Sequence, residues 1–175
     1  MDLQINVAGL LKEHAGATRS VELDGPVLEL EDGTQAHVSG RLRLTRTDRG
    51  VWLSGALDIG APEMCSRCLV PFTQTVRVQV DDVFLPAVDI HTGSRLRPDE
   101  LDEPDADTGS IDEHHMMELT EALRQYRLAA LPMAPVCRQD CKGICPQCGE
   151  DRNQGGCTCE PEQDARWAKL RDLLK

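Results

Sequence analysis

Along the first two-thirds of the chain, apolar residues recur at every second position. Val38, Leu42 and Leu44 share one face of an extended segment, and Ser39, Arg41 and Arg43 share the other. This is the alternation a half-buried strand requires. Thr47-Asp48-Arg49-Gly50 then supplies turn chemistry. Val51, Leu53, Leu57 and Ile59 alternate with Ser54, Ala56 and Asp58, and a third run from Phe72 to Val80 places Val76, Val78 and Val80 inward. Its phase slips at Asp81-Asp82 before Val83 and Leu85, which predicts a bulge or the end of the strand. Shorter stretches at Val21–Leu23 and Val27–Leu30 predict edge strands. The expected product is an α+β protein, with an antiparallel sheet or small barrel followed by helices and a cysteine-rich tail.

Two helices are expected. Ser110-Ile111-Asp112-Glu113 matches a capping box, in which Ser and Glu satisfy orphan backbone N–H groups reciprocally. Met116, Leu119, Leu123 and Tyr126 follow at helical spacing, and Pro132 and Pro135 close the element. A second helix is predicted from about Pro161 to the last residue, with Trp167, Leu170 and Leu174 as its apolar stripe. The stretch 98–113 holds eight carboxylates and no Lys or Arg, so self-repulsion makes it an acidic linker or loop. The expected division is therefore a β domain over 1–97, the acidic segment 98–113, and a helical, cysteine-bearing module over 114–175.

Composition narrows the function. Only 3 % of residues are aromatic against 40 % hydrophobic, so the core must be built from Val, Leu and Ala. The formal charge of −11 argues against a protein held on nucleic acid by bulk charge, because that affinity comes from cations displacing counterions. A basic protein partner, or RNA touched through a local patch, fits better. Residues 1–8 lack the basic start and apolar run of a secretion signal, and no stretch approaches the roughly 18 apolar residues of a membrane span. A cytoplasmic protein without membrane contact is expected, and in that compartment eight cysteines are metal ligands or reactive thiols more often than disulfides.

The cysteines carry the chemistry. Cys145-Pro146-Gln147-Cys148-Gly149 has the form of a tight knuckle whose two sulfurs converge on one metal, and Cys157-Thr158-Cys159 follows after a short loop. Together Cys145, Cys148, Cys157 and Cys159 can close a tetrahedral zinc shell, and a shell with no open position is structural. Cys65-Ser66-Arg67-Cys68 lies between two strands, where a hairpin forms a second knuckle. Cys137 and Cys141 are one helical turn apart, so Cys65, Cys68, Cys137 and Cys141 make a second candidate site. One zinc with unligated thiols is the rival, and Cys141 with Cys145 is another possible grouping. A thioredoxin-like site is disfavoured because β pattern, not a helix, follows Cys68. An iron–sulfur cluster is disfavoured by the three-residue gaps among Cys137, Cys141 and Cys145.

No phosphate-cradling loop or nucleophile–base arrangement is present, the five histidines stand away from the cysteines, and no small-molecule substrate is implied. The chain does not read as an enzyme. Arg138, Lys142 and Arg152 ring the C-terminal cysteines, where a rigid knuckle can present them to RNA or a partner. Arg41, Arg43, Arg46 and Arg49, beside Trp52, form a second and weaker basic patch.

Three ordered motifs resemble those of a known family. They are Ile5-Asn6-Val7-Ala8-Gly9-Leu10-Leu11-Lys12 with Gly16 and Arg19; Cys65-Ser66-Arg67-Cys68-Leu69 with the extended run to Phe84-Leu85-Pro86; and Leu131-Pro132 with Cys137, Cys141-Lys142-Gly143-Ile144-Cys145-Pro146, Cys148-Gly149, Asn153 and Cys157-Thr158-Cys159. Arg166-Trp167-Ala168-Lys169-Leu170 resembles its closing helix. The chain is similar to the YceD family of large ribosomal RNA subunit accumulation proteins. That resemblance implies a bacterial cytoplasmic factor in ribosome biogenesis, supporting ribosomal RNA accumulation, with the pre-ribosomal large subunit, ribosomal RNA or a basic ribosomal protein as partner. Two other readings of a zinc-binding chain stand beside it: a protein–protein adaptor or chaperone for a basic ribosomal protein, and a thiol-based redox or zinc sensor.

Overall fold

The structure, a computed structural model, describes residues 3–30, 32–95, 109–155 and 157–159. Its elements run β1 (Gln4–Asn6), α1 (Ala8–Leu11), β2 (Thr18–Glu29), β3 (Gln35–Arg46), β4 (Val51–Met64), β5 (Pro71–Pro86), β6 (Gly109–Ile111), β7 (Met116–Glu118) and α2 (Thr120–Ala130). The strands form one curled sheet in the order β1-β7-β6-β5-β4-β3-β2. The α+β class is observed. The sheet is mixed rather than purely antiparallel, because β5 and β6 run parallel from Phe84↔Gly109 to Pro86↔Ile111.

The four long strands follow from the period-two pattern. Leu42, Leu44, Leu53, Leu57 and Ile59 are buried on the inner face, where Leu10 and Leu11 of α1 and Leu119 and Leu123 beside and within α2 cover them. The slip expected at Asp81-Asp82 does not occur. The β4–β5 ladder runs unbroken through Asp81 opposite Ser54 and Asp82 opposite Leu53, with Phe84 buried and Val83 turned outward. Asp82 takes an inward place at the sheet's rim, where it lines a cleft with Tyr126 of α2. Tyr126 also satisfies the strand edge beside it: its hydroxyl accepts from the Asp81 N–H at 3.0 Å and donates to the Asp81 carbonyl at 3.1 Å. The two predicted edge strands are one marginal strand, β2, whose register shifts between Asp24 and Val27.

The predicted helix start at Ser110 is corrected. Ser110 lies in β6, opposite Leu85. The Asp112 carboxylate accepts backbone N–H groups from His114 and Met116, both at 2.8 Å, which closes a tight turn into β7. Asp competes for local amides as readily at a turn as at a cap, so the capping-box letters alone do not separate the two. The helix begins at Thr120, whose N–H is received by the Glu118 carboxylate at 2.9 Å. Leu119 and Leu123 are buried as expected, but Met117 enters the core instead of Met116. The chain leaves α2 in extended conformation at Leu131, as the residue before Pro132 must. The predicted C-terminal helix and most of the acidic segment lie outside the described residues.

Two inward-facing glycines set the curl. Gly40 lies opposite Leu57 and Gly55 opposite Leu42 on neighbouring strands. A Cβ on Gly40 would sit 2.4 Å from the Ala56 carbonyl oxygen, and the residue's φ of 140° is one that side chains rarely adopt. Glycine at such a bend lets one backbone approach the next. Gly40→Ala is expected to cost about 3 kcal/mol from strain and overpacking together. Urea unfolding measures it, and a loss under 1 kcal/mol would mean the strands can separate freely at that corner.

Candidate metal centres

Both Cys-x-x-Cys segments fold into the same turn. In the first, which joins β4 to β5, Leu69 N–H donates to the Cys65 carbonyl at 2.9 Å and Cys65 N–H to the Val70 carbonyl at 3.0 Å. In the second, Gly149 N–H donates to the Cys145 carbonyl and Cys145 N–H to the Glu150 carbonyl, each at 2.8 Å. The residue after the second cysteine is left-handed in both, with φ of 58° at Leu69 and 76° at Gly149. Glycine accepts that conformation freely, whereas Leu69 is held in it by its surroundings.

The turn aims amides at its first sulfur. The Cys68 amide, opposed by burial and aided by the amides of Cys137 and Arg67, draws the Cys65 thiol down to about 6. The amides of Cys148 and Gln147 draw Cys145 down to about 6 in the same way. Elsewhere the cost of a second thiolate shows. Burial, with neighbouring sulfurs, pushes Cys137 up to about 12, and the hydrogen bond with Cys148, together with burial, pushes Cys159 up to about 12. Each turn thus prepares one thiolate, and Cys137 and Cys159 need a cation to ionise beside it.

The structure brings the eight cysteines into two groups: Cys65, Cys68, Cys137 and Cys141, and Cys145, Cys148, Cys157 and Cys159, with the sulfurs of each within 4.8 Å of one another. All eight are free thiols. Cys65 and Cys141 sulfurs lie 3.9 Å apart, and those of Cys68 and Cys137 lie 3.8 Å apart. Zn–S bonds of about 2.3 Å from a tetrahedral centre place the corners about 3.8 Å apart. The donor set fits a zinc-sized, thiophilic cation. The grouping of Cys141 with Cys145 is not the one observed.

The first group staples the segment after α2 to the β4–β5 hairpin. Ser66 N–H donates to the Pro135 carbonyl at 2.8 Å, Ile144 N–H to the Arg67 carbonyl at 3.0 Å, and the Arg67 guanidinium to the Cys141 carbonyl at 3.1 Å. Apolar support is thin, consisting of Phe72, Val136 and the cysteines themselves, apart from the main core. Asn153 was not singled out chemically in the sequence, yet it lies at the centre of this region. Its amide donates to the Cys141 sulfur at 3.5 Å, while its carbonyl accepts from Lys142 N–H and the Arg138 guanidinium, both at 2.8 Å. Spacing alone gives no signal for such a residue, because its partners are set by the fold.

The basic residues separate into two kinds. Lys142 and Arg152 are exposed on the module, whereas Arg138 is engaged by Asn153 and by Asp140 at 3.5 Å. In the weaker patch, Arg46 is a structural clamp, donating to the Leu11 carbonyl at 3.3 Å and the Gly50 carbonyl at 3.0 Å. Arg41 pairs with Glu22, and the Trp52 indole donates to Asp81 at 2.6 Å. Around the cysteines the charged residues are Arg67, Arg138, Lys142 and Arg152 against Asp140, Glu150 and Asp151. Two four-thiolate zinc sites would add a formal charge of about −2 each, leaving the loaded module acidic. Among the described residues no helix is long and apolar enough to cross a membrane.

Residues 53–174 match the protein family described as "Large ribosomal RNA subunit accumulation protein YceD". Over 133 residues the chain is 32% identical to uncharacterized proteins of Mycobacterium tuberculosis (strain ATCC 25618 / H37Rv) and Mycobacterium bovis, covering 76% of this chain and 60% of each relative. A Mycobacterium leprae relative, also uncharacterized, is 26% identical over 133 residues, covering 76% of this chain and 57% of its own length. The chain thus spans about 60% of the length of the curated relatives it matches. No solved structure matches it.

Proposed function

The chain belongs to the YceD family, and from that premise we propose that it is a non-catalytic cytoplasmic factor in large ribosomal subunit biogenesis, supporting ribosomal RNA accumulation through a zinc-stabilised binding module. The observation that carries the binding reading is the pair of four-cysteine groups, the first of them built on the hairpin of a folded sheet with sulfurs 3.8 and 3.9 Å apart. A closed thiolate shell leaves zinc no position for substrate or water, so the metal's role is to hold a surface. The family's description names accumulation of a ribosomal RNA subunit and no enzyme class.

Charge favours one partner within that reading. An acidic loaded module on a chain of charge −11 repels phosphate, so direct RNA contact would be confined to Lys142 and Arg152. A basic ribosomal protein meets no such repulsion, which supports the adaptor or chaperone form of the same role. The double substitution Lys142→Ala with Arg152→Ala decides between them. If RNA is held, crosslinking to large-subunit ribosomal RNA in cells should fall about tenfold or more, one phosphate contact being worth roughly 1 kcal/mol. If a basic protein is held, recovery of that protein should persist in the double variant. Failure to recover either class of partner from the wild-type chain would refute the assignment to ribosome assembly.

A further inference from the structure

We propose that the two cysteine cages are an ordered pair: the hairpin cage fills first and holds its metal, while the C-terminal cage forms on that foundation and exchanges its metal with solution. The inference rests on the zinc reading above and goes beyond it by giving the two sites different work. It comes from burial and from the direction of the hydrogen bonds that position each cage.

Burial divides the sites. Cys65, Cys68 and Cys141 are 0%, 6% and 4% exposed, and Cys137 is half-buried. In the other cage only Cys145 is buried, while Cys148 and Cys159 are exposed and Cys157 is half-buried. A chelator or competing thiol removes zinc by entering its shell as protein sulfurs leave one at a time. The surroundings of the site control that entry. The hairpin cage has no exposed cysteine and one half-buried one, Cys137, whereas two cysteines of the C-terminal cage are exposed.

Position runs one way. The hairpin turn is part of the β4–β5 ladder, which continues to Met64↔Pro71 at its foot, so two of its four ligands are set by the sheet before any metal arrives. Pro135, Gln139 and Cys141 are then drawn to that turn by Ser66 and Arg67, through their backbone carbonyls. Among the described residues, the C-terminal knuckle is attached through this assembly. Ile144, immediately before Cys145, is tied to the Arg67 carbonyl, and Arg152 N–H is tied to the Gly143 carbonyl at 2.9 Å. Among the described residues, Asn153 is the one side chain of the outer loop that supports an inner sulfur. Emptying the outer cage would therefore release the return through Cys157 and Cys159 and leave the hairpin cage closed. Emptying the inner cage would remove the foundation of both. The outer site is thus the place where the protein can register zinc supply without losing its fold.

The test uses the full chain, native mass spectrometry for zinc content, and zinc release to 4-(2-pyridylazo)resorcinol followed in time. The wild type should carry two zinc ions and release them in two equal phases whose rates differ by about 10- to 100-fold or more, the range that changes around a metal's ligands produce. Cys145→Ser with Cys148→Ser should retain one zinc and show only the slow phase. Cys65→Ser with Cys68→Ser should retain neither, although circular dichroism still reports the sheet. A single release rate for both ions overturns the proposal, as does one firmly bound zinc remaining in the Cys65/Cys68 variant. The wild-type kinetics decide the matter even if that variant fails to fold. A wild-type chain carrying no zinc at all overturns the underlying zinc reading instead, and is told apart by the mass alone.

Discussion

Protein unfolded in chelator and refolded without metal should regain its sheet and fail to regain order over residues 132–159. The sheet has a core of its own, in which Leu42, Leu53, Leu57, Ile59 and Phe84 are at most 1% exposed. The segment after α2 has no such resource, because its apolar cluster is little more than Cys65, Cys68 and Cys141 with Phe72, Val136 and Cys137 around them. Without a cation the contacts between these sulfurs, Cys65 with Cys141 at 3.9 Å and Cys68 with Cys137 at 3.8 Å, are weak ones. Binding of a structural zinc is worth about 10–16 kcal/mol in small zinc-dependent folds, far more than the few hydrogen bonds to Ser66 and Arg67 can replace. Limited proteolysis should therefore cut between Leu131 and Cys159 in metal-free protein and leave the fragment before it intact. Backbone amides of residues 132–159 that stay protected from exchange in demonstrably metal-free protein would show that the cages are dispensable.

Removing Glu63 should destabilise the protein by about 3 kcal/mol, and more than removing its partner does. Arg127 of α2 and Glu63 of β4 form an ion pair whose side chains are 6% and 24% exposed. Glu63→Ala leaves a guanidinium in an almost dry place, and a buried charge stripped of its partner costs about 3–5 kcal/mol. Asp32, which lines the same cleft, offers a partial substitute and places the expected value at the low end. Arg127→Met leaves a carboxylate that water already reaches, and the thioether fills much of the vacated space, so about 1 kcal/mol is expected. Denaturant unfolding of the two variants gives the ordering directly. A larger loss for Arg127→Met would show that the arginine's methylene packing, not its charge, holds α2 against β4.

The strands β3, β4 and β5 were legible because each has one wet and one dry face, and burial then imposes a period that residue letters record. The same logic failed at Asp81-Asp82, where an acid occupies an inward position at the rim and a tyrosine three elements away completes the edge. Nothing local announces that. Ser110 to Glu113 misled for a related reason, since the side-chain oxygen that caps a helix also closes a turn. The short strands β1, β6 and β7 were out of reach, because a three-residue strand owes its existence to distant partners. Among the cysteines, the knuckle pairs follow from spacing. Which pairs face each other, and that Asn153 stands between them, depends on where the chain returns after α2.

The pairing of β1 with β7 also bears on how the chain is made. Leu3 donates its N–H to Thr120 across 117 residues, and Gln4 faces Glu118. The meander from β2 to β5 needs only neighbouring hairpins and can assemble as it emerges. At about 5–20 residues per second, β1 waits roughly 6 to 23 s for β7 to be synthesised. Leu10 and Leu11, buried in the finished protein, stay uncovered on one side for that interval. Among the described strands, β1 is thus made first and paired late, and nascent-chain chaperones have a long opportunity to act on it.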